Sequence, residues 1–235
     1  MKRHIPNTLT CMNLFCGCLS VVMAFGHHYS AAFGFILLSA LFDFFDGLAA
    51  RALHAHSPIG KDLDSLADDI SFGVAPASML FNLLMQLAEG QEWGGARAYL
   101  PYVAFLIAVF SALRLAKFNN DARQATSFIG LPVPANALFW ASYVLLLQDL
   151  GDEFLWNWAF PVALFTLVLV LLFSWLLVSE IPMFSLKKMK GNRVATYFFI
   201  GCIPLFALFQ MQAFVPIILW YILLSLIAEV RSKKQ

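Results

Sequence analysis

Long apolar stretches, each about as long as a lipid bilayer is thick, constrain the fold of this chain more than any other feature. A transmembrane α-helix needs about 20 predominantly apolar residues. The predicted spans are 8–26, 31–53, 61–88, 98–118, 132–149, 155–178, 194–210 and 213–230. Only 12% of the residues are charged, whereas about a quarter are charged in a soluble domain. We therefore expect an all-α, polytopic integral membrane protein with about eight transmembrane helices.

The Lys and Arg residues fall almost entirely on one side of this topology. Of the 15 in the chain, only Arg97 falls on the other side. Because the cytoplasmic loops of membrane proteins carry an excess of Lys and Arg, we expect both termini and the loops at 54–60, 119–131 and 179–193 to be cytoplasmic. The basic run at 187–193 is expected to lie against anionic lipid headgroups.

Six aspartates between positions 43 and 69 interrupt the apolar pattern. Charged side chains are costly inside a membrane span and usually mark functional sites there. One helical face carries two carboxylates and two small residues at i, i+3, i+4 and i+7: Asp43, Asp46, Gly47 and Ala50. The next helix carries a similar face at i, i+4 and i+8: Gly60, Asp64 and Asp68. Because the link between the helices is short, we expect their carboxylates to converge at the cytoplasmic edge.

Converging carboxylates repel one another, and a bound divalent cation relieves that repulsion. All-oxygen ligands favour a hard ion, Mg²⁺ or Mn²⁺, and such ions commonly bridge protein carboxylates to substrate phosphates. The residues alone leave two other interpretations open. The acids could form a buried charge network neutralised by Arg51 and Lys61, or they could line the ion pathway of a divalent-cation transporter.

The spacing of these residues also matches a known signature. The segment from Asp43 to Asp68 reads Asp-x2-Asp-Gly-x2-Ala-Arg-x8-Gly-x3-Asp-x3-Asp, which resembles the signature of the CDP-alcohol phosphatidyltransferases. Three further segments resemble the phosphatidylserine synthase branch of that family: IPNTLTCMNLFCG at 5–17, ALRLAKFN at 112–119 and FIGLPVPANA at 128–137. In the second of them, Lys117 stands where the branch more often has Arg.

The resemblance implies an enzyme that uses Mg²⁺ or Mn²⁺ as its cofactor. A phosphatidyl group would pass from CDP-diacylglycerol to the hydroxyl of L-serine, giving phosphatidylserine and CMP. Transfer to glycerol 3-phosphate or inositol 1-phosphate is the alternative within the family. Those acceptors bring a phosphate and should need more basic residues than the three near this site, Arg114, Lys117 and Arg123. Serine is therefore the favoured acceptor.

The resemblance also implies roles for individual residues. The implied metal ligands are Asp43, Asp46, Asp64 and Asp68. Asp68 is also the implied catalytic base, which takes the proton of the serine hydroxyl. The residues expected to bind the CDP-lipid are Asn7, Thr8, Asn13, Gly47, Ala50, Arg51 and Gly60. The groups available to hold serine are Arg114, Lys117, Asn119 and Asn120. Of these, Arg114 is expected to hold either the serine carboxylate or the lipid phosphate.

The other polar residues of this region are expected to lie outside the catalytic set. Asp69 points about 100° away from Asp68 on a helix and is expected to pair with Arg51 or Lys61. Asp62 is expected to be solvated. His54 and His56 lie two residues apart in the link and are expected to be exposed.

The whole chain, residues 1–235, is expected to form a single membrane domain. Its catalytic core would cover about 5–137, and C-terminal helices would cover about 138–230. The protein would be multi-pass in a bacterial or archaeal cell membrane, with its active site facing the cytoplasm. Its expected partners are CDP-diacylglycerol, L-serine and membrane lipids, with no nucleic acid. The resemblance further implies a homodimer.

Overall fold

The structure of the protein is almost entirely helical. A computed structural model describes residues 4–55, 57–121, 128–183 and 193–232. The α-helices within these residues are α1 (His4–Phe25), α2 (Tyr29–Ala52), α3 (Pro58–Asp68), α4 (Ala75–Gly90), α5 (Leu106–Asn120), α6 (Val133–Asp149), α7 (Asp152–Val178), α8 (Arg193–Phe209) and α9 (Phe214–Ser232). The shorter elements are a π-helical turn at Asp69–Val74, 3-10 helices at Gly95–Phe105 and Gln210–Ala213, and the paired strands β1 (Phe128–Ile129) and β2 (Pro182–Met183).

Six helical segments of the described chain are long and apolar enough to cross a membrane, judged by length and composition. They are His4–Phe25, Tyr29–Ala52, Pro58–Gly90, Gly95–Asn120, Glu153–Val178 and Thr196–Glu229. The expected all-α, polytopic architecture is confirmed.

The number of spans stays a prediction. The predicted spans at 194–210 and 213–230 fall largely within a single 34-residue helical segment, and α6 has only 17 residues. The chain termini and most of the basic run at 187–193 lie outside the described residues. The cytoplasmic placement of the termini therefore also stays a prediction.

The helices α1 and α2 form a hairpin that packs through small and polar residues. Such residues hold membrane helices together, because helix association in lipid depends on close packing and hydrogen bonds. The hydroxyl of Ser20 donates a hydrogen bond of 2.8 Å to the carbonyl oxygen of Ala32. The hydroxyl of Ser39 donates one of 3.0 Å to the carbonyl oxygen of Asn13. Both serines are fully buried. The hairpin therefore positions the C-terminal half of α2, which carries the first two aspartates of the signature.

The helix α3, the π-helical turn and α4 form one continuous helical segment. The hydroxyl of Ser57 caps its start by accepting a hydrogen bond from the N–H of Gly60 over 3.0 Å, and Pro58 follows as the first helical residue. Both residue types are favoured at those positions. The π-helical turn begins immediately after Asp68. Such turns are rare and frequently lie at functional sites.

Large aromatic side chains fill the middle of the molecule, around α6. Trp140 and Phe139 of α6 are at most 1% exposed, and the Phe139 ring stacks on that of Phe173 in α7 with the centroids 4.0 Å apart. The chain just before α6 is anchored to the end of α7, because the N–H of Leu131 donates to the carbonyl oxygen of Leu176 over 3.0 Å. This core supports the helices that carry the polar site.

Gly17 of α1 is predicted to be intolerant of a side chain. A Cβ atom there would lie 2.9 Å from the Cα atom of Ser71 in the π-helical turn. We expect Gly17→Ala to destabilise the fold by about 1–3 kcal/mol, the usual cost of overpacking a tight contact. Gly34→Ala in α2 is the matched control, because a Cβ atom there meets nothing within 4 Å. Thermal unfolding in detergent measures both, and equal midpoints would contradict the close approach of α1 to the turn.

Candidate active site

Three aspartates come together where α2 and α3 face each other. One carboxylate oxygen from each of Asp43, Asp64 and Asp68 lies within 4.8 Å of the other two. Asp43 lies on α2, and the helical spacing puts Asp64 and Asp68 on one face of α3. The predicted convergence of carboxylates is therefore present in the structure.

This group of oxygens suits a hard divalent cation. Like charges at this separation repel one another, and a cation between them removes the repulsion. The donors are all carboxylate oxygens, the ligand type that Mg²⁺ and Mn²⁺ prefer. Asp43, Asp64 and Asp68 are the residues that would hold the ion, and they fit the cofactor expected from the sequence.

Asp46, the fourth predicted ligand, lies beside this group. Its side chain is only 6% exposed. Its Oδ2 atom accepts a hydrogen bond of 2.7 Å from the hydroxyl of Thr10 in α1. The carboxylate is close enough to repel those of Asp43, Asp64 and Asp68. Asp46 is not one of the three aspartates whose oxygens converge, and its role as a metal ligand stays a prediction.

A cavity of about 610 Å³ opens next to the aspartates, between α1, the end of α2 and the start of α3. Five residues predicted to bind the CDP-lipid line it: Asn7, Gly47, Ala50, Arg51 and Gly60. The small residues keep it open, because a Cβ atom on Gly60 would lie 3.1 Å from Oδ1 of Asn7. The cavity therefore combines a groove of small residues with cationic groups beside an acidic cluster.

Two residues assigned to the CDP-lipid lie outside this cavity. Thr8 is exposed, and its hydroxyl donates to the carbonyl oxygen of His4 over 2.8 Å. Asn13 is fully buried, and its Nδ2 atom donates to Oδ1 of Asp68 over 3.1 Å. The geometry does not support a contact of either residue with a molecule bound in the cavity.

Sequence reasoning missed some of the residues that line the cavity, namely Pro6, Thr10, Ala55, Ser57, Pro58 and Lys61. A signal for Thr10 was available, because it stands three residues after Asn7 and so shares its helical face. Lys61 directly follows Gly60. The contribution of Ser57 depends on the turn between α2 and α3, which helical spacing does not describe.

Among the four residues proposed to hold serine, only Arg114 lies buried in the protein. It is 6% exposed, and its Nε and Nη2 atoms have no hydrogen-bond partner among the described residues. Its guanidinium group lies over the ring of Phe118, 5.0 Å from the centroid. It is also within electrostatic reach of Asp68 and of Tyr221 in α9. A buried cationic group with free donors is a receptor for an anion.

The other three residues make contacts within the protein. The Nζ atom of Lys117 donates to the carbonyl oxygen of Val178 over 3.0 Å and lies 3.9 Å from a carboxylate oxygen of Glu180. The Nδ2 atom of Asn119 donates to the hydroxyl of Ser65 over 2.7 Å, and that of Asn120 donates to the carbonyl oxygen of Ala116 over 2.9 Å. These contacts join α5 to α3 and to the end of α7, and a role in serine binding stays a prediction.

The predicted pairing of Asp69 is wrong. Within the described chain, neither Arg51 nor Lys61 forms an ion pair with it. A Cβ atom on Gly73 would lie 2.8 Å from Oδ1 of Asp69 and 3.1 Å from Cβ of Ser111, so the carboxylate faces α5. The physical reason is that the π-helical turn packs against α5, whereas Arg51 and Lys61 line the cavity between α1, α2 and α3.

The remaining predictions for this region concern exposed side chains and a charge network. Asp62 and His54 are exposed, as predicted. His56 lies outside the described residues. The charge network in which Arg51 and Lys61 would neutralise the cluster is not formed in the described part of the chain, since neither makes an ion pair with any of the aspartates there.

This arrangement of aspartates belongs to a known family of membrane enzymes. The sequence model of the CDP-alcohol phosphatidyltransferases matches residues 3–169, which include the whole acidic cluster and its neighbouring cavity. The chain therefore belongs to this family, as its signature suggested. Its members generally depend on a divalent metal ion, in agreement with the donor set formed by Asp43, Asp64 and Asp68.

The names of individual relatives specify the reaction more closely than the family name does. The chain is 36% identical over 136 residues to the CDP-diacylglycerol–serine O-phosphatidyltransferase of Bacillus subtilis, covering 56% of this chain and 70% of that protein. It is 30% identical over 228 residues to the Mycobacterium leprae enzyme of the same name, covering 96% and 73%. The Methanocaldococcus jannaschii enzyme of that name is 33% identical over 145 residues, covering 62% of each chain.

Removal of one converging carboxylate should weaken cation binding. We expect Asp64→Asn to reduce the affinity for Mn²⁺ on the order of 10-fold or more, because affinity follows the number of charged ligands. Asp62→Asn is the matched control, since Asp62 is on the same helix but exposed. Electron paramagnetic resonance of free Mn²⁺ during titration measures both. Equal binding by the two variants would show that the ion does not use Asp64.

Proposed function

We propose that this protein transfers a phosphatidyl group from CDP-diacylglycerol to the hydroxyl of L-serine, giving phosphatidylserine and CMP. The observation that carries the proposal is the convergence of three carboxylate oxygens within 4.8 Å, beside a cavity lined by small and cationic residues. Membership of the CDP-alcohol phosphatidyltransferase family supports the reaction class. The names of relatives from bacteria and an archaeon support serine as the acceptor.

The donor's CDP group would occupy the cavity between α1, α2 and α3. Gly47 and Ala50 leave room for the nucleotide, and Arg51 and Lys61 supply positive charge to its diphosphate. A divalent ion at the aspartates would stabilise the charge on the transferring phosphoryl group. The two acyl chains would lie between helices, with the headgroup at the level of the cluster.

The acceptor would bind on the other side of Asp68, at Arg114. An unpaired buried guanidinium group is costly unless an anion satisfies its donors. The carboxylate of serine supplies such an anion, and the phosphate of the donor lipid is the other candidate. Because Arg114 lies within electrostatic reach of Asp68, a serine held there by its carboxylate has its hydroxyl close to the proposed base.

The chemical step would be a direct displacement at phosphorus. The serine hydroxyl oxygen forms a bond to the phosphorus of the phosphatidyl group as its proton passes to Asp68. The bond from that phosphorus to the bridging oxygen of the CDP group breaks, and CMP leaves with the electron pair. Asp68 is suited to the base role because its carboxylate converges with those of Asp43 and Asp64 and is within electrostatic reach of Arg114.

The proposed location of the site in the cell is supported by the charge pattern. The cationic side chains of Arg51, Lys61 and Lys117 lie near the end of the helices that carries the aspartates, so this end would face the cytoplasm. Arg97 is expected on the opposite side of the membrane. Its guanidinium carbon lies 4.4 Å from the centroid of the Phe160 ring. We carry over a homodimer in a bacterial or archaeal cell membrane from the family resemblance.

An acceptor comparison tests the proposed reaction. Purified protein in detergent, with CDP-diacylglycerol and Mn²⁺ or Mg²⁺, should release CMP when serine is added. We expect little release with glycerol 3-phosphate, inositol 1-phosphate or no acceptor. Asp68→Asn, which cannot take the hydroxyl proton, should lower the rate on the order of 100-fold or more. Release that requires a different acceptor would keep the reaction class and refute the choice of serine.

Substitution of Arg114 tests the acceptor side. Arg114→Met keeps most of the buried volume but removes the cation. We expect kcat/KM for serine to fall about 10–100-fold, the range for losing a charge-assisted hydrogen bond. The KM for CDP-diacylglycerol should change little. Arg97→Met is the matched control, because Arg97 is exposed, lies over the ring of Phe160 and has no predicted role in binding. If instead the KM for the lipid rose and that for serine did not, Arg114 would hold the lipid phosphate.

A further inference from the structure

We propose that Asn13 of α1 is a positioning residue for Asp68, and that it does not bind the donor lipid. The inference rests on the proposed function, because it concerns the base of that reaction. Asn13 is 0% exposed and does not line the cavity. Its side-chain amide donates a hydrogen bond of 3.1 Å from Nδ2 to Oδ1 of Asp68. The contact joins the first helix of the chain to the carboxylate that receives the proton.

The hydrogen bond fixes the rotation of the carboxylate. An amide N–H can donate but cannot accept, so the oxygen that it contacts is held on the side of α1. The other oxygen of Asp68 is then directed away from Asn13 and is the one available to take the serine proton. A carboxylate without this contact could rotate about its terminal bond, because that torsion has broad preferences.

The backbone of Asn13 is itself held in place by two other elements. Its carbonyl oxygen accepts one hydrogen bond of 3.0 Å from the hydroxyl of Ser39 in α2 and another of 3.0 Å from that of Ser71 in the π-helical turn. Both serines are fully buried. One turn later, Gly17 allows α1 to approach the backbone of Ser71 closely. The backbone of Asn13 is therefore held against α2 and against the π-helical turn that directly follows α3.

A parallel contact occurs one turn earlier on α1. Thr10, three residues before Asn13, donates through its hydroxyl to Oδ2 of Asp46 over 2.7 Å. The two residues share a face of the helix. This face thus supplies one hydrogen bond to an aspartate of α2 and one to an aspartate of α3. Groups that orient the ligands and bases of a metal site commonly affect activity about 10–100-fold when they are removed.

The test separates positioning from lipid binding by comparing two asparagines of the same helix. Asn13→Leu and Asn7→Leu both remove an amide and keep the branching of the side chain, and Asn7 lines the cavity. For Asn13→Leu we expect kcat to fall about 10–100-fold while the KM for CDP-diacylglycerol stays within about 2-fold. For Asn7→Leu we expect the main effect on that KM. The assay is CMP release with serine by the full-length protein in detergent.

Binding of CDP supplies a readout that does not depend on turnover. The increase in melting temperature on adding CDP and Mn²⁺ should be retained in Asn13→Leu and reduced in Asn7→Leu. Asn13→Ala serves as a second variant, because a smaller side chain cannot overpack the buried position. Retained CDP binding with a reduced kcat in either Asn13 variant supports the proposal.

Three results would overturn it. They are an unchanged kcat in Asn13→Leu, a raised KM for the lipid with kcat intact, and loss of the fold in both Asn13 variants, which would make the residue merely structural. Failure of the proposed function is distinguishable, since it shows as an absence of CMP release from the unmodified protein with every acceptor.

Discussion

Mutual repulsion among Asp43, Asp64 and Asp68 is the constraint on which the rest of the structure depends. Carboxylate oxygens within 4.8 Å of one another tend to push α2 and α3 apart, most strongly where water is scarce. The opposing force comes from close packing around them, above all from α1, which contacts both helices. The chain thereby keeps an unfavourable arrangement of charge that a bound cation would relieve.

The site has two sides, and different parts of the chain form them. The proposed donor side lies between α1, α2 and α3, where the cavity contains Arg51 and Lys61. The proposed acceptor side is at Arg114 of α5, whose guanidinium group is close to Tyr221 of α9. The C-terminal helices therefore do more than enlarge the membrane domain, because Tyr221 of α9 is within electrostatic reach of the buried Arg114.

Much of this could be predicted because it depends on local spacing. The apolar runs predict the helices, and the intervals between aspartates predict which of them share a face. Contacts between distant segments could not be predicted in this way: nothing near Asn13 in the sequence indicates that its amide reaches Asp68. The pairing of Asp69 was wrong for another reason, since Asp69 faces α5 while Arg51 and Lys61 line the cavity, and helical spacing does not reveal which element a face packs against. Asp46 has the spacing of a ligand, but its hydrogen bond to Thr10 depends on the packing of α1.

The π-helical turn at Asp69–Val74 has a consequence for how the long helical segment around it should be drawn. One extra residue rotates everything beyond it by about 100° relative to what precedes it. No single helical wheel therefore describes Pro58 to Gly90. Drawn as two wheels, the first half presents its acids toward α2, and the second half, which is mostly buried, presents small and apolar side chains to the core. The rotation introduced by the π-helical turn thus allows one continuous helical segment to contribute to both a polar site and an apolar core.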